Sequence, residues 1–480
     1  MKESKMKEQI SYKMKHNVKP VTKRPIIQRT LASVMLLNIL CFSAIPAAAA
    51  LAEPAPAATT TETTASPAET AKPEKLDKVA GVDSLGLQVR SAVLMEPTTG
   101  QVLMSLNSDN ALPPASMTKM MTEYIVQHEI KQGNLTWDTM VTVQENASLN
   151  QGSRIFLAQG DQHTVEELYI AMAVGSANDA TVALAEYIAG SEEEFVKMMN
   201  DYAQKMGMET AYFANATGLS IKDMPEKYRP ADPRETVLSA MDTAKLVKYI
   251  VQEHPDFSKY TTIQTYQFRE RDQAPIVNLN WMLEANKDVP NFRAFAYEGL
   301  DGMKTGFTEE ALNTFAGTAE RDGLRLISVV MGAETKASRF TETRKVLDYG
   351  FNNFEVKQVI DAGSTIEGFE TIPVSKGKEQ SLPLAIDKSV SFMVPKNSEG
   401  KSYTVEAKLD NPTLTAPVQK GTKVGTVTYS YHIDGVKNIQ KATVDLIAAE
   451  EAEKAGWFKL FLRAIQQFFA DLFQSIKNLF

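Results

Sequence analysis

Three short stretches of the chain contain side chains that together could perform acyl transfer through a serine. They are Ser116-Met-Thr-Lys119, Ser176-Ala-Asn178 and Lys304-Thr-Gly306, in that order along the chain. A serine beside an amine base gives a nucleophile, and a second serine with an asparagine could relay a proton and hold an amide. A lysine next to a threonine hydroxyl can bind a carboxylate. The set therefore predicts attack by a serine on a substrate that ends in a carboxylate.

The first of these strings is informative through its context, because S-x-x-K also occurs elsewhere in the chain. Leu-Pro-Pro-Ala precedes Ser116, and a helical pattern, 117–130, follows it. Residues three apart share a helix face, so the Lys119 amine can reach the Ser116 hydroxyl. To act as a base, Lys119 needs a pKa well below that of free lysine, which burial and a second cation such as Lys304 would provide. A helix-capping serine with a surface lysine is the alternative.

The other two strings differ in how much they indicate. S-x-N recurs at several places, but Ser176-Ala-Asn178 lies between two helical patterns, in a loop that can present side chains to a cleft. K-T-G occurs once, on a predicted strand, where Gly306 would let a substrate backbone approach closely. For Ser176 and Asn178 the alternative is simple helix capping. For Lys304 the alternative is an exposed lysine on an edge strand. Order, spacing and predicted context agree for all three strings, which favours one shared site.

Periodicity predicts the elements that position these residues. Two β-rich runs surround a Pro-Thr-Thr-Gly turn within 90–106 and predict a hairpin. Helical patterns fill most of 115–350, and the later part of this region contains predicted strands at Gly302–Phe307, Asn313–Glu320 and Arg325–Met331 and a helix at Ser338–Asn352. We predict an α+β domain over 79–352, with one antiparallel sheet, helices that cover it and a helical lobe beside it.

The segments before and after this domain have different compositions. Residues 1–50 join a basic stretch to a short apolar run and small residues, which is typical of a signal peptide cleaved after Ala50 or Ala52. Residues 51–78 are rich in Ala, Thr and Pro and predict a disordered linker. Residues 353–448 alternate short strand patterns with turn residues, which is typical of a small all-β domain.

The last segment, 449–480, contains an amphipathic helical pattern that begins at Trp457. Its large apolar residues gather on one side, and its lysines, arginine and glutamines lie on the other. The apolar residues are interrupted too often for a transmembrane span, so we predict that residues 457–480 lie on a membrane surface. A helix docked on the protein's own core is the alternative.

Charge and cysteine content exclude several classes of protein. The whole chain has a formal net charge of −8, and its first 50 residues contain nine basic and two acidic side chains, which leaves −15 for the remainder. An acidic chain gives no support for nucleic-acid binding. The single cysteine, Cys41, lies in the predicted signal peptide, so the exported chain would have no disulfides. The five histidines lack ligand spacing, and we predict neither a metal site nor a cofactor.

On these strings the chain resembles the serine-type D-alanyl-D-alanine carboxypeptidases, which are low-molecular-weight penicillin-binding proteins. The strings that match are Pro-Ala-Ser116-Met-Thr-Lys119-Met-Met-Thr, Gly152-Ser-Arg-Ile-Phe-Leu157, Ser176-Ala-Asn178-Asp-Ala, Asn215-Ala-Thr-Gly-Leu219 and Asp301-Gly-Met-Lys304-Thr-Gly-Phe-Thr-Glu-Glu310. The resemblance covers residues 85–446 and implies a β-lactamase/transpeptidase-like domain followed by the all-β domain. The terminal helix also resembles that family's anchor on the outer face of the cell membrane.

The resemblance implies the chemistry expected of each residue. Ser116 would form the acyl-enzyme, Lys119 would be its general base, and Ser176 would relay a proton to the leaving D-alanine. The expected activity removes the terminal D-alanine from peptidoglycan pentapeptide stems, and β-lactams would acylate Ser116.

The same resemblance implies the substrate contacts. Asn178 would hold the substrate amide, and Lys304-Thr305-Gly306 would bind its terminal carboxylate. The backbone N–H groups of Ser116 and Phe307 would form the oxyanion hole. The chain departs from the family pattern at Ala177, where glycine is usual, and in a long 219–239 loop that could alter substrate choice.

Three other functions use parts of this set. A β-lactamase shares the three motifs but needs a glutamate before K-T-G for fast deacylation; the chain has no Glu-x-x-Leu-Asn string, and the trailing β domain also argues against this class. A catalytically silent wall-binding protein would not need the intact set of serines and lysines. A D,D-endopeptidase would use the same chemistry, so the sequence leaves that activity open.

Overall fold

The computed structural model describes residues 77–78, 85–436 and 438–478. The predicted signal peptide (1–50) and almost all of the predicted linker lie outside the described residues. Within the described part of the chain, no helix is both long enough and apolar enough to cross a membrane.

A five-stranded antiparallel sheet forms the centre of the first domain. Its strands are β1 (Ser91–Glu96), β2 (Gln101–Leu106), β3 (Leu300–Thr308), β4 (Leu312–Arg321) and β5 (Leu324–Ala333), in the spatial order β2-β1-β5-β4-β3. The hairpin β1–β2 joins the late strands through β5, where Ile327 lies opposite Met95. The predicted hairpin and the predicted single antiparallel sheet are both confirmed.

Helices pack on both faces of this sheet and extend beside it as a lobe. They are α1 (Lys119–Lys131), α2 (Val165–Gly175), α3 (Asn178–Ala189), α4 (Glu192–Lys205), α5 (Ala240–Glu253) and α6 (Ser338–Asn353), with shorter helices at Glu145–Leu149 and Ser258–Thr261. Side chains on β5 alternate between the two faces: Leu326 and Val330 share a core with α6, whereas Ile327 and Val329 share one with α1 and α5. The helices α2 and α3 enclose a third core that is the lobe.

The second domain is all-β, as predicted. Its strands are β6 (Phe354–Ile360), β7 (Thr371–Ser375), β8 (Ser381–Ile386), β9 (Val390–Pro395), β10 (Tyr403–Leu409), β11 (Lys423–Tyr431) and β12 (Gln440–Ala448). Strand β6 pairs with β9, and the others form a sheet in the order β10-β11-β12-β8-β7 that ends at Leu414–Thr415. The sequence patterns did not predict β8, because Pro383 lies in its middle and proline disfavours interior strand positions.

The remaining strands are short. They pair as Met140–Thr142 with Gln162–Thr164, Thr265–Tyr266 with Ile276–Val277, and Asp77–Lys78 with Ile433–Asp434.

The last element is an amphipathic helix, α7 (Trp457–Lys477), whose polar side contacts the β domain. Lys459 Nζ donates to the backbone oxygen of Lys378 at 2.9 Å, and Arg463 donates to the oxygens of Gly377 and Lys378, both at 2.7 Å. Its large apolar side chains are exposed, with Trp457 79% and Phe473 71% accessible. The alternative in which this apolar face packs on the protein's own core is therefore wrong for the described residues.

Candidate active site

Ser116 lies in a short 3-10 turn, Ala115–Thr118, directly before α1. The preceding residue, Ala115, has a φ of +50°, a left-handed conformation that costs a non-glycine residue about 1–3 kcal/mol. The core and a backbone hydrogen bond fix this turn in place. Met117 is fully buried, and its backbone N–H donates to Pro114 O at 3.2 Å. Ser116 itself is only half-buried, so its hydroxyl is presented from a rigid support to a region that substrate can reach.

The Lys119 amine is completely buried beside this hydroxyl. Its Nζ lies 3.0 Å from Ser116 Oγ and donates to the backbone oxygen of Thr217 at 2.8 Å. Burial and the charge of Lys304 together place the pKa of Lys119 well below its ordinary value. A neutral amine can accept the proton of the serine hydroxyl, which is what activation of a serine nucleophile requires.

The carbonyl that contacts Lys119 is positioned by the Asn215-Ala-Thr-Gly-Leu219 turn. Asn215 Oδ1 accepts the backbone N–H groups of Thr217 at 3.1 Å and Gly218 at 2.7 Å, and its Nδ2 donates to Leu219 O at 2.8 Å. Gly218 has a φ of +78°, and a Cβ there would lie 2.0 Å from Ala115 O. The turn therefore needs this glycine to pack against the serine turn.

Ser176 and Asn178 lie at the break between α2 and α3. Ser176 ends α2 in a left-handed conformation, with φ 58° and ψ 31°. Asn178 Nδ2 donates to Gln151 O at 2.5 Å, and its backbone N–H donates to Ser153 O at 2.7 Å. Ser176 Oγ and Asn178 Oδ1 are buried without a hydrogen-bond partner among the described residues. Buried polar atoms are normally paired, so these two oxygens are available to a ligand.

Neither side chain of this pair caps the N-terminus of α3, although Ser176 is the C-cap residue of α2. The N-cap of α3 is Ala177, and no side chain donates or accepts there as a cap. The adjacent buried carboxylate, Asp179, instead accepts the N–H groups of Ile155 and Leu157, each at 3.1 Å. Asp179 thus ties the 152–157 loop to the start of α3, a role that the sequence analysis did not predict.

The K-T-G residues lie on β3, at the edge of the sheet and against the serine turn. Lys304 is only 2% exposed and Thr305 is also buried, so the alternative of an exposed edge-strand lysine is wrong. Phe307, which directly follows Gly306, is 54% exposed. The neighbouring strand β4 contacts the residue before the serine turn, because Thr314 Oγ1 donates to Pro114 O at 3.3 Å.

The expected reason for Gly306 needs correction. A Cβ at this position would lie 2.5 Å from Thr314 Oγ1 and 2.6 Å from Pro114 O. The space beside Gly306 is therefore occupied by the protein's own backbone and side chain. The small residue is needed so that β3 can approach the serine turn, which brings Lys304 towards Lys119.

Two charged residues that the sequence analysis missed adjoin Lys304. Arg339 is buried on α6 and donates from Nη1 to Gly306 O at 3.2 Å. Glu123 is 1% exposed, and its Oε1 has no partner within the described part of the chain. Glu123 follows Lys119 by four residues on α1, so helical spacing could have indicated that the two share a face.

These buried charges act on one another. Burial lowers the pKa of Lys304, the negative charge of Glu123 opposes that decrease, and Arg339 adds to it. Burial in turn raises the pKa of Glu123. The charge of Glu123 also raises the pKa of Lys119, against the larger effects of burial and Lys304. The site thus pairs a buried amine beside a hydroxyl with a second buried cation, an arrangement suited to acyl transfer on an anionic substrate.

Comparisons with known proteins identify the family of this chain. Residues 78–335 match the family model described as D-alanyl-D-alanine carboxypeptidase, and residues 354–454 match the model of the penicillin-binding protein 5 C-terminal domain. The chain belongs to the D-alanyl-D-alanine carboxypeptidase family. The exact domain boundaries at 352 and 448 stay predictions.

Individual relatives cover most of the chain. D-alanyl-D-alanine carboxypeptidase DacF of Bacillus subtilis is 32% identical over 380 residues, which span 79% of this chain and 89% of that protein. DacC of Escherichia coli is 33% identical over 383 residues, which span 78% of this chain and 87% of that protein.

Solved structures show the same similarity. Penicillin binding protein 5 from Haemophilus influenzae has 32% identity and a TM-score of 0.58, over 77% of this chain and 98% of that one. A peptidoglycan synthesis regulatory factor (PBP3) from Streptococcus pneumoniae has 27% identity and a TM-score of 0.65, over 76% of this chain and all of that one.

The electrostatic coupling predicts the effect of Glu123→Gln. Because the negative charge of Glu123 raises the pKa of both lysines, its removal should lower the pKa of Lys119 and that of Lys304. The two values can be followed by NMR titration of lysines labelled with ¹³C at Cε. Glu129→Gln, on the same helix, is the control and should leave both unchanged. An increase of either pKa in Glu123→Gln would contradict the coupling.

Proposed function

We propose that this chain is a serine-type D-alanyl-D-alanine carboxypeptidase that removes the terminal D-alanine from peptidoglycan pentapeptide stems. The observation that supports this most strongly is the buried Lys119 amine 3.0 Å from Ser116 Oγ, in a chain that belongs to this family. The relatives named above are themselves called D-alanyl-D-alanine carboxypeptidases.

Acylation would begin when Lys119 removes the proton from Ser116 Oγ. The oxygen attacks the carbonyl of the penultimate D-alanine, and the negative charge that develops is stabilised by the backbone N–H groups of Ser116 and Phe307. As the peptide C–N bond breaks, Ser176 passes a proton to the leaving amine. D-Alanine departs, and the shortened stem remains as an ester on Ser116.

Substrate binding would use a buried lysine and side-chain oxygens of the site. Lys304, a buried cation, attracts the terminal carboxylate, and the Thr305 hydroxyl donates to it. Asn178 Oδ1, which has no partner among the described residues, accepts an N–H of the substrate amide. Water then attacks the ester, with Lys119 again as the base, and releases the stem peptide.

β-Lactams would acylate the same serine, because they present a strained amide and a carboxylate at the spacing of the substrate's last two residues. The names of several structural relatives contain the words penicillin binding. The ester formed on Ser116 would then be hydrolysed slowly, because the sequence has no Glu-x-x-Leu-Asn string of the kind that supplies the deacylating base in β-lactamases.

The substitution Ser116→Ala tests this function directly. The full-length protein should release D-alanine from a peptide that ends in D-Ala-D-Ala, and the variant should be slower by at least about 10³-fold because its nucleophile is lost. Ser148→Ala, in another S-x-N string, is the control and should keep the activity. Equal release by Ser116→Ala would identify Ser116 as the wrong serine. Rapid penicillin hydrolysis without D-alanine release would instead indicate a β-lactamase.

We also propose that α7 lies on the outer face of the cell membrane and that residues 1–50 direct export. The family is extracytoplasmic. Lys459 and Arg463 hold the polar side of α7 against the β domain, and aromatic side chains cover its exposed side. An exposed apolar face of this size on a lysine-containing amphipathic helix fits insertion into the headgroup region of a bilayer.

Phe468→Glu tests membrane binding, because Phe468 is exposed in the apolar face of α7. The variant loses an aromatic ring that would insert into the bilayer, and it gains a negative charge. Its binding to vesicles of phosphatidylglycerol and phosphatidylethanolamine should therefore weaken at least about tenfold. Co-sedimentation of the full-length protein measures this. Gln474→Glu adds the same charge to the polar side and should bind within about threefold of the unchanged protein. Equal binding by all three proteins would contradict an interfacial role for the apolar face.

A further inference from the structure

Two histidines and a glutamate meet where helices α1 and α5 end. His128 lies in the last turn of α1, Glu253 is the final residue of α5, and His254 follows it as the C-cap. One ring nitrogen of each histidine and one carboxylate oxygen of Glu253 all lie within 4.8 Å of one another. We predicted no metal site because the histidines lack ligand spacing in the sequence, but the fold brings these two together from distant positions.

One ring nitrogen of each histidine at this corner is buried and has no hydrogen-bond partner among the described residues. His254 is only 4% exposed, and its Nε2 is buried without a hydrogen-bond partner in the described part of the chain. His128 Nδ1 is also buried without a partner there. An unpaired buried donor or acceptor destabilises the folded protein, and a coordinated cation would remove that cost for a neutral ring nitrogen.

The side chains around the cluster restrict its orientation. Tyr124 OH donates to Glu253 Oε2 at 2.8 Å, which leaves the other carboxylate oxygen for a ligand. The Tyr124 ring packs against both histidines, at 5.7 Å from His128 and 5.1 Å from His254, and Tyr202 packs edge-on to His128 at 5.5 Å. Hydrogen bonds and packing of this kind hold metal-ligand side chains in a usable orientation.

Charge at the corner both favours and opposes a cation. Two helix C-termini converge here, and their partial negative charges stabilise cations nearby. The positive charge of Lys131 opposes cation binding, because it lies close to the cluster: its Nζ donates to the backbone oxygen of Glu253 at 3.0 Å. The carboxylate of Glu253 offsets this positive charge within the cluster.

We propose that His128, Glu253 and His254 form a zinc-binding site that is separate from the active site. Two imidazoles and one carboxylate are a ligand set that Zn²⁺ accepts, with water as the fourth ligand. Bonds of about 2.0–2.1 Å hold tetrahedral donors roughly 3.3 Å apart, so binding would draw the three side chains closer together. The ion would join the ends of α1, which begins at Lys119, and α5.

Zinc titration of the full-length, metal-free protein against a chromogenic chelator tests this site. The unchanged protein should bind one equivalent, and His128→Gln and Glu253→Gln should each bind at least tenfold more weakly. His163→Gln, a histidine paired with Glu167 elsewhere, is the matched control and should bind like the unchanged protein. Lys131→Gln should bind several-fold more tightly, because a neighbouring positive charge is removed.

Thermal unfolding with and without zinc gives a second readout. Zinc should raise the Tm of the unchanged protein, of His163→Gln and of Ser116→Ala, but not that of His128→Gln. His128 is half-buried, so its variant is expected to fold, and its metal-free Tm verifies this. Absence of zinc binding by the unchanged protein would overturn the proposal. Equal binding and equal Tm increases in His128→Gln would also overturn it, and would indicate that zinc binds elsewhere on the surface.

Discussion

A lysine amine that is removed from water and held against a serine hydroxyl is the constraint on which the rest of the structure depends. Burial of an ammonium is unfavourable, so the environment of Lys119 favours its neutral form. The amine retains two polar contacts, Ser116 Oγ and the carbonyl of Thr217. Nearby, Glu123 balances part of the positive charge of Lys304. The pair of buried lysines is therefore tolerated without an ion pair at Lys119 itself.

The fold assembles this environment from segments that are far apart in the chain. The sheet brings β3 against the serine turn, and Gly306 and Gly218 allow backbone approaches that any Cβ would prevent. Ala115, which precedes Ser116, and the site residue Ser176 both have positive φ values. Such conformations persist only where surrounding packing fixes them, and here the buried methionines of α1 and the core of the lobe provide that packing.

Sequence reasoning succeeded where the chemistry is local. The spacing of Ser116 and Lys119 predicted their contact, and β-rich runs bounded by turn residues predicted all five strands of the first sheet. Sequence reasoning failed for residues that are distant in the chain and are brought together only by the fold. Nothing in the sequence indicates that Arg339 of α6 contacts the K-T-G strand, and the cluster of His128 and His254 depends on two helices that end at one corner. Gly306 was assigned to substrate approach, although packing of the protein's own backbone already requires it.

The pH dependence of Ser116 acylation by penicillin tests the central claim most directly. If the buried Lys119 is the base, the second-order acylation rate constant should reach its plateau at a pH well below 10.4, the pKa of a free lysine. Mass spectrometry of the trapped adduct should locate it on Ser116. A rate constant that keeps rising tenfold per pH unit through neutrality towards pH 10 would contradict the account, because it would mean that Lys119 is an ordinary protonated lysine.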